Sequence, residues 1–362
     1  MKRKIVSFFL VAAMATTVVL SGCSSGSKAS TGTTGKGPVK ITIWSPTDEP
    51  AIEKWWKDKL KEFNNENKGK IEVSREAIAR NSTYAYEDKV NAAVSSGNLP
   101  DILYVDGPNI SNYAATNIIV PIDKYFSSTD LLDFVNSIKV QGTYNGKLYA
   151  LGATESSVAL YYNKDMLDAA GIKAPDKLEN AWTWSQFKEV AKKLTKNGVV
   201  GTNIVMDKGE GLPYVLEQFW ISNGTDFVNK DGSKAEGYIN GPKGIEAAKF
   251  LASLVKEGYA HADPIQKEFH TGKAATILGG SWEVATLQKD YPNLHWGVTY
   301  FPVADNGGKH TSPTGDWAAC ITKDCKNVDI AGKVLQFILS KDNVTSYAKA
   351  IAKLPTRISS YD

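Results

Sequence analysis

Arginine is scarce in this 362-residue chain, and beyond residue 22 it occurs only at Arg75, Arg80 and Arg357. Phosphate and carboxylate recognition relies heavily on the two-pronged guanidinium, so the scarcity weighs against an anionic ligand, although lysine and backbone N–H groups can also bind anions. The four histidines, His261, His270, His295 and His310, lack the close spacing of a zinc site. His261-Ala262-Asp263 is the only His-x-Asp, and it reads as a loop or helix cap. There is no Gly-rich phosphate loop ending in Gly-Lys-Ser/Thr and no strand-to-helix nucleophile elbow. Acidic pairs such as Asp48-Glu49 are explained by helix capping and the helix dipole. Glycosidase chemistry needs two carboxylates held across a sugar at a set separation, and sequence assigns no such pair. No enzyme, metal or cofactor is therefore expected. A basic patch with interleaved aromatics is also missing, which excludes the usual nucleic-acid binders.

Long apolar runs are almost absent too. The exception is Ile5 to Leu20, which follows Lys2, Arg3 and Lys4 and ends at Ser21-Gly22-Cys23. A basic start, a short apolar core and small residues before a cysteine form a secretory signal layout, so residues 1–22 are expected to be removed. That removal takes three basic residues and no acidic one, and the formal charge falls from +3 to 0. Residues 23–38, rich in Ser, Gly and Thr, cannot pack a core and read as a flexible tether. The 340 residues after the signal exceed the roughly 250–300 at which one core stops growing, so two domains are expected. Cys320 and Cys325 are five apart; a turn through Lys323-Asp324 would be needed to join them, and two free thiols are the favoured reading.

From Val39 onward, short strand-like runs alternate with longer helical patterns, the signal of an α/β architecture. Strands are expected at Val39–Trp44, Ile71–Ser74, Asp101–Val105, Val158–Tyr162, Ala274–Leu278, His295–Pro302 and Trp317–Ile321. Helices are expected over Glu49–Asn65, Tyr84–Val94, Lys243–Glu257 and Ile330–Leu339, and another after Trp184 with Ser185 as its N-cap.

Aromatic residues carry the functional signal. Trp44, Trp220, Trp282 and Trp317 each stand beside polar or glycine-rich segments, where an indole can present its apolar face to a sugar ring. Trp55 and Trp56 sit in a charged helix pattern, so at least one packs inward. Asp48, Asp106, Glu155, Asn223, Asp316 and Arg357 are the polar candidates nearby. Capping, core packing and loop hydrogen bonds are the competing explanations for all of them.

Several stretches in order resemble the sugar-binding lipoproteins of bacterial ABC importers, the extracellular solute-binding class that includes maltose-binding protein. They are Val39-Lys-Ile-Thr-Ile-Trp44, Leu99-Pro-Asp-Ile-Leu-Tyr-Val-Asp106, Ile119-Val-Pro-Ile-Asp123, Asn145-Gly-Lys-Leu-Tyr-Ala150, Leu160-Tyr-Tyr-Asn-Lys-Asp165, Trp182-Thr-Trp-Ser-Gln-Phe187, and above all Gly272-Lys-Ala-Ala-Thr-Ile-Leu-Gly-Gly-Ser-Trp282, with Gly297-Val-Thr-Tyr-Phe-Pro302 behind it. Leu20-Ser-Gly-Cys23 is similar to a lipoprotein processing box, which implies diacylation of Cys23 and anchorage on the outer face of the cell membrane. The resemblance implies two lobes closing on a ligand, with an N-terminal lobe of 39–152 plus 312–350, a C-terminal lobe of 153–311, and 351–362 crossing back. It implies a monomer that carries a mono- or oligosaccharide to a separate membrane permease; a polyol phosphate or peptide is the alternative cargo. Trp44, Asp48 and Trp282 match ligand positions of the family, Asp106 and Glu155 match more loosely, and Asn223, Trp317 and Arg357 are weaker carry-overs. Leu354-Pro-Thr-Arg357 is similar to a segment that precedes further helices in the family. Since the chain stops five residues later, C-terminal helices are expected to be missing and apolar surface left uncovered.

Overall fold

In the opening strand, Val39–Pro46, the β-branched residues alternate so that Ile41 and Ile43 are fully buried while Lys40 and Thr42 face out. The computed structural model describes residues 37–47, 50–80, 84–204, 209 and 211–361. The expected signal, Cys23, the tether up to residue 36 and Asp48 lie outside the described residues. Val39–Pro46 pairs in parallel with Ile71–Ile78 on one side and Ile102–Val105 on the other. Helices Pro50–Glu66 and Ala85–Ser96 make the two crossovers, as parallel neighbours require. Ile102–Val105 is buried on both faces, the pattern of a strand in mid-sheet. Ala318–Thr322 returns from far along the chain to pair antiparallel with it, and also pairs with Ile119–Val120 and Ala150–Leu151. Strand alternation divides the core: Ile102, Tyr104, Ala319 and Ile321 join one cluster with Trp56 and Phe63, and Leu103, Val105, Ala318 and Cys320 join the other with Tyr86 and Ile110. Both adjacent tryptophans, Trp55 and Trp56, are buried in the first of these.

A second sheet is organised around one long strand, Thr154–Asn163. Thr276–Gly280, Trp296–Thr299, Thr314–Gly315 and Leu354–Pro355 all pair with it antiparallel. Helices Trp184–Leu194, Gly211–Ser222 and Pro242–Lys256 cover this sheet through Phe187, Phe219 and Leu254. The helix after the Trp182 loop begins two residues earlier than its sequence suggests. Thr183 is its N-cap and forms a reciprocal capping box with Gln186, while Ser185 hydrogen-bonds Asp305 instead. Thr-x-x-Gln satisfies two backbone donors at once, so it outcompetes a lone serine cap.

The chain passes between the two sheets from Leu151 to Thr154 and from Gly315 to Ala318, and a third crossing segment, Ile351 to Leu354, pairs Leu354–Pro355 with the start of the long strand before Thr356 and Arg357 bond back to Val135 and Asp133.

Cys320 and Cys325 are free and buried. The Cys320 S–H donates to the Leu103 carbonyl at 3.1 Å, and burial pushes its thiol well above the usual range; burial also pushes Cys325 up to about 12. Neither thiolate is accessible to oxidant or alkylating agent in the folded state. Peptide mapping after iodoacetamide treatment is expected to find both cysteines unmodified in native protein and both alkylated in denaturant, without prior reduction. A Cys320–Cys325 linked peptide would contradict this arrangement.

Candidate ligand-binding cleft

One carboxylate touches all three crossings. Asp316, in the second crossing, accepts from Thr154 Oγ1 of the first at 2.7 Å and from Lys353 Nζ of the third at 2.9 and 3.0 Å. It also accepts from the Trp317 backbone N–H at 2.9 Å. The Asp316 side chain is 6% exposed, so this network replaces nearly all of its hydration. Gln141 reads the same segment by donating to the Asp316 carbonyl at 2.7 Å and accepting from its N–H at 3.1 Å. Gly315 is held at φ +126°, and an added Cβ would strike the Gln141 amide. One residue from Thr154, the Glu155 carboxylate accepts from the Gly315 N–H and the Ser137 hydroxyl, joining the crossings again.

Two cavities open beside this junction and share a ridge of four residues: Trp282, Asp316, Trp317 and Lys353. The smaller, about 480 Å³, runs under Ser45, Tyr104 and Tyr347 and along the Glu283–Asp290 helix at Ala285, Thr286, Lys289 and Asp290. The larger, about 750 Å³, is bounded by Tyr84, Asp106, Ser137, Ser156 and Tyr214. Trp282 is half-buried and lies folded back over Gly280, where a Cβ would collide with its ring. Tyr214 lies 6.3 Å from it, centroid to centroid, with the planes tilted by 37°. Tyr214 shares a 2.9 Å hydrogen bond with Ser156, and burial raises its hydroxyl pKa. Across the ridge, Trp317 is backed by Tyr86 at 5.5 Å and by the Arg80 guanidinium at 5.0 Å. Arg80 is paired with Glu87 at 2.8 Å and Asp106 at 3.2 Å. Both described cations lining the larger cavity, Arg80 and Lys353, are thus paired within the protein.

Of the residues singled out in the sequence, Asp106, Trp282, Asp316 and Trp317 meet at this cleft, with Glu155 directly beneath it. Five others stand apart or outside the described residues. Trp44 sits on the opposite face of its strand from the cavity-lining Ser45, with Lys89 Nζ 4.4 Å over its ring. Trp220 lies inside the Gly211–Ser222 helix rather than after it, and its indole donates to the Ile239 carbonyl within the lobe core. Six positions along a helix turn it well away from the face that shows Tyr214 to the cleft. Asn223 is buried, donating to Lys243 and Glu246 and accepting from Asn306. Arg357 is a structural clamp: it bonds the Leu339 carbonyl, Asp130 and Asp133, and lies 4.2 Å over Phe134. Asp48 belongs to the undescribed segment.

Tyr84, Tyr214, Gln141 and Lys353 had not been singled out in the sequence. Tyr84 adopts a left-handed backbone, φ 57°, which no local pattern announces. Lys353 acts only because the third crossing returns it to Asp316. The partial exception is Tyr214, whose place at the start of an apolar helix marks an aromatic near a helix end. Among the described residues, no group of three or more His, Cys, Asp or Glu side chains is arranged to hold a metal ion.

Residues 59–362 match the family described as bacterial extracellular solute-binding protein, and the chain belongs to that family. It is 27% identical over 334 residues to a putative binding protein of Brucella abortus, covering 90% of this chain and 77% of the other. It is 24% identical to the diacetylchitobiose binding protein DasA of Streptomyces coelicolor, covering 99% and 83%. Its fold is similar to that of the cyclic alpha-maltosyl-1,6-maltose binding protein from Arthrobacter globiformis, with TM-score 0.75, 22% identity, and 89% and 81% of the two chains covered.

Glu155 gives the junction a pH signature. Burial raises its carboxyl above the ordinary value of 4.5, with the Asp316 charge adding to the shift and its two hydrogen bonds opposing it. The folded state then holds a proton that the unfolded state has lost, so stability falls as pH rises from about 4.5 through the raised folded value. The Glu155→Gln variant lacks this titration. The stability of wild type relative to Glu155→Gln, read by urea unfolding, should therefore increase as the pH is lowered through that window. A pH-independent difference would contradict the assignment.

Proposed function

We propose that the cleft captures a neutral oligosaccharide outside the cytoplasm and presents it to the membrane permease of an ABC importer, without turnover. The observation that carries this reading is the aromatic ridge standing between two polar-rimmed cavities. Trp282 and Trp317 offer broad apolar surface for the C–H faces of sugar rings, while Asp106, Ser137, Ser156 and Gln141 are placed to meet hydroxyls. Two cavities on either side of one ridge suit a ligand of at least two sugar units better than a monosaccharide. Relatives named for diacetylchitobiose and a cyclic maltosyl-maltose support a carbohydrate.

In the larger cavity, internal pairing of Arg80 and Lys353 argues against the polyol-phosphate and peptide alternatives, because an anionic ligand there would have to displace Asp106 or Asp316 to reach them. Asp316 is likewise committed to the crossings, which leaves it unsuited to glycosidase work. Capture would follow a hinge closure in which contacts from both lobes favour the closed population. Beyond the family's extracellular setting, we infer that Cys23 is diacylated and holds the protein on the outer face of the membrane, two chains being enough for stable anchoring. A monomer suits this role.

Calorimetric titration with neutral mono- and oligosaccharides, a peptide and glycerol phosphate tests the ligand class. Oligosaccharide binding is expected, and preferential binding of the phosphate ester or the peptide would overturn it. In Trp282→Ala, affinity should drop by about 2 kcal/mol, roughly 30-fold, while unfolding stays cooperative. Full affinity in the folded variant would remove Trp282 from the site. Separately, Cys23→Ser should abolish lipid mass at the mature N-terminus and release the protein from membranes; an unmodified Cys23 in the wild-type protein would end the anchor proposal.

A further inference from the structure

The corner that carries Trp282 contains a buried polar couple that lines neither cavity. His270 Nε2 lies 2.7 Å from Glu283 Oε2, and the two side chains are 4% and 6% exposed. His270 comes from the turn before the Thr276–Gly280 strand, and Glu283 opens the Glu283–Asp290 helix directly after Trp282. His270 Nδ1 is buried without a hydrogen-bond partner. The tautomer with its proton on Nε2 avoids an orphaned donor there, so the imidazole gives that N–H to Glu283. Glu283 is in the first helical turn, where the dipole favours a carboxylate.

Space at this corner has been cleared twice. A Cβ on Gly279 would come within 2.9 Å of Glu283 Cγ, and one on Gly280 would collide with the Trp282 indole. The paired glycines thus make room for two neighbouring side chains, one anchored inward and one laid along the cleft. The strand end is also held: Tyr161 donates to the Gly280 carbonyl at 2.8 Å, and the Ser281 N–H donates to the Ser157 carbonyl at 2.9 Å. Trp282, at the N-cap, makes no side-chain capping bond. The anchor of its helical turn is therefore the next residue.

We propose that the His270–Glu283 pair is the positioning element for Trp282, pinning the first turn of the helix so that the indole stays over Gly280 and faces both cavities. The functional meaning of this device rests on Trp282 being a ligand-stacking ring, but its existence does not, so the test uses unliganded protein. Fluorine NMR of protein labelled with 5-fluorotryptophan contains nine tryptophan signals, and Trp282→Phe identifies one of them. Glu283→Ala is expected to shift and broaden the Trp282 signal while leaving those of Trp184 and Trp220, in the core of the same lobe, unmoved. Glu283→Gln keeps the stem and an acceptor for Nε2–H, and should restore the wild-type position. His270→Phe keeps a ring of similar size but removes the donor; it should displace the Trp282 signal, and it carries the comparison if Glu283→Ala does not fold. An unmoved Trp282 signal in either folded variant, or equal displacement in Glu283→Ala and Glu283→Gln, would overturn the proposal. Failure of sugar binding would leave this result untouched.

Discussion

Asp316 is where the chain segments that join the two lobes are tied together. Three chain segments cross between the sheets, and a buried carboxylate accepts hydrogen bonds from side chains of the other two as well as from its own backbone. Breaking one partner would strand a charge with little water to receive it, a penalty of about 3–5 kcal/mol for buried pairs. The crossings are thereby bound into one strap. Trp317 and the pairing partner Lys353 lie within reach of both cavities because they sit at this strap.

The same strap orders the electrostatics. Lys353 neutralises Asp316, Arg80 is shared between Glu87 and Asp106, and the indole of Trp317 lies against the Arg80 guanidinium. Around the larger cavity, the charges of Arg80, Asp106, Asp316 and Lys353 are spent on shaping the walls. The rest of that cavity's lining is apolar ring surface and neutral hydrogen-bonding groups, a combination suited to sugars. Trp282 gains its place in another way, through a backbone corner emptied of side chains and a neighbour anchored in the lobe interior.

Much of the fold was legible in the sequence because local pattern and tertiary role agreed. Val39–Pro46 alternates, Pro50–Glu66 places Ile52, Trp55, Trp56 and Phe63 on its inner side, and Gly279-Gly280 marks a close approach. Readings that depended on which side of an element a residue faces were less secure. Trp44 and Ser45 are neighbours on one strand, yet only Ser45 lines the cleft. Trp220 looks like a loop-edge aromatic in sequence, but the helix continues through it and buries it. Arg357 is rare and charged, two marks of a site residue, and its partners Asp130 and Asp133 are more than two hundred positions away. Long-range pairing of this kind leaves no trace in local composition. Lys353 was missed for the same reason.

The central claim is that the lobes close over a neutral oligosaccharide by bending at the Asp316 strap. Spin labels on exposed helix sites of the two lobes, at Lys57→Cys and Lys192→Cys, allow the interlobe distance to be read by double electron–electron resonance. With a bound oligosaccharide at saturation, the distance distribution should move to a single, narrower population distinct from that of the free protein. Saturating binding with an unchanged distribution would contradict the account.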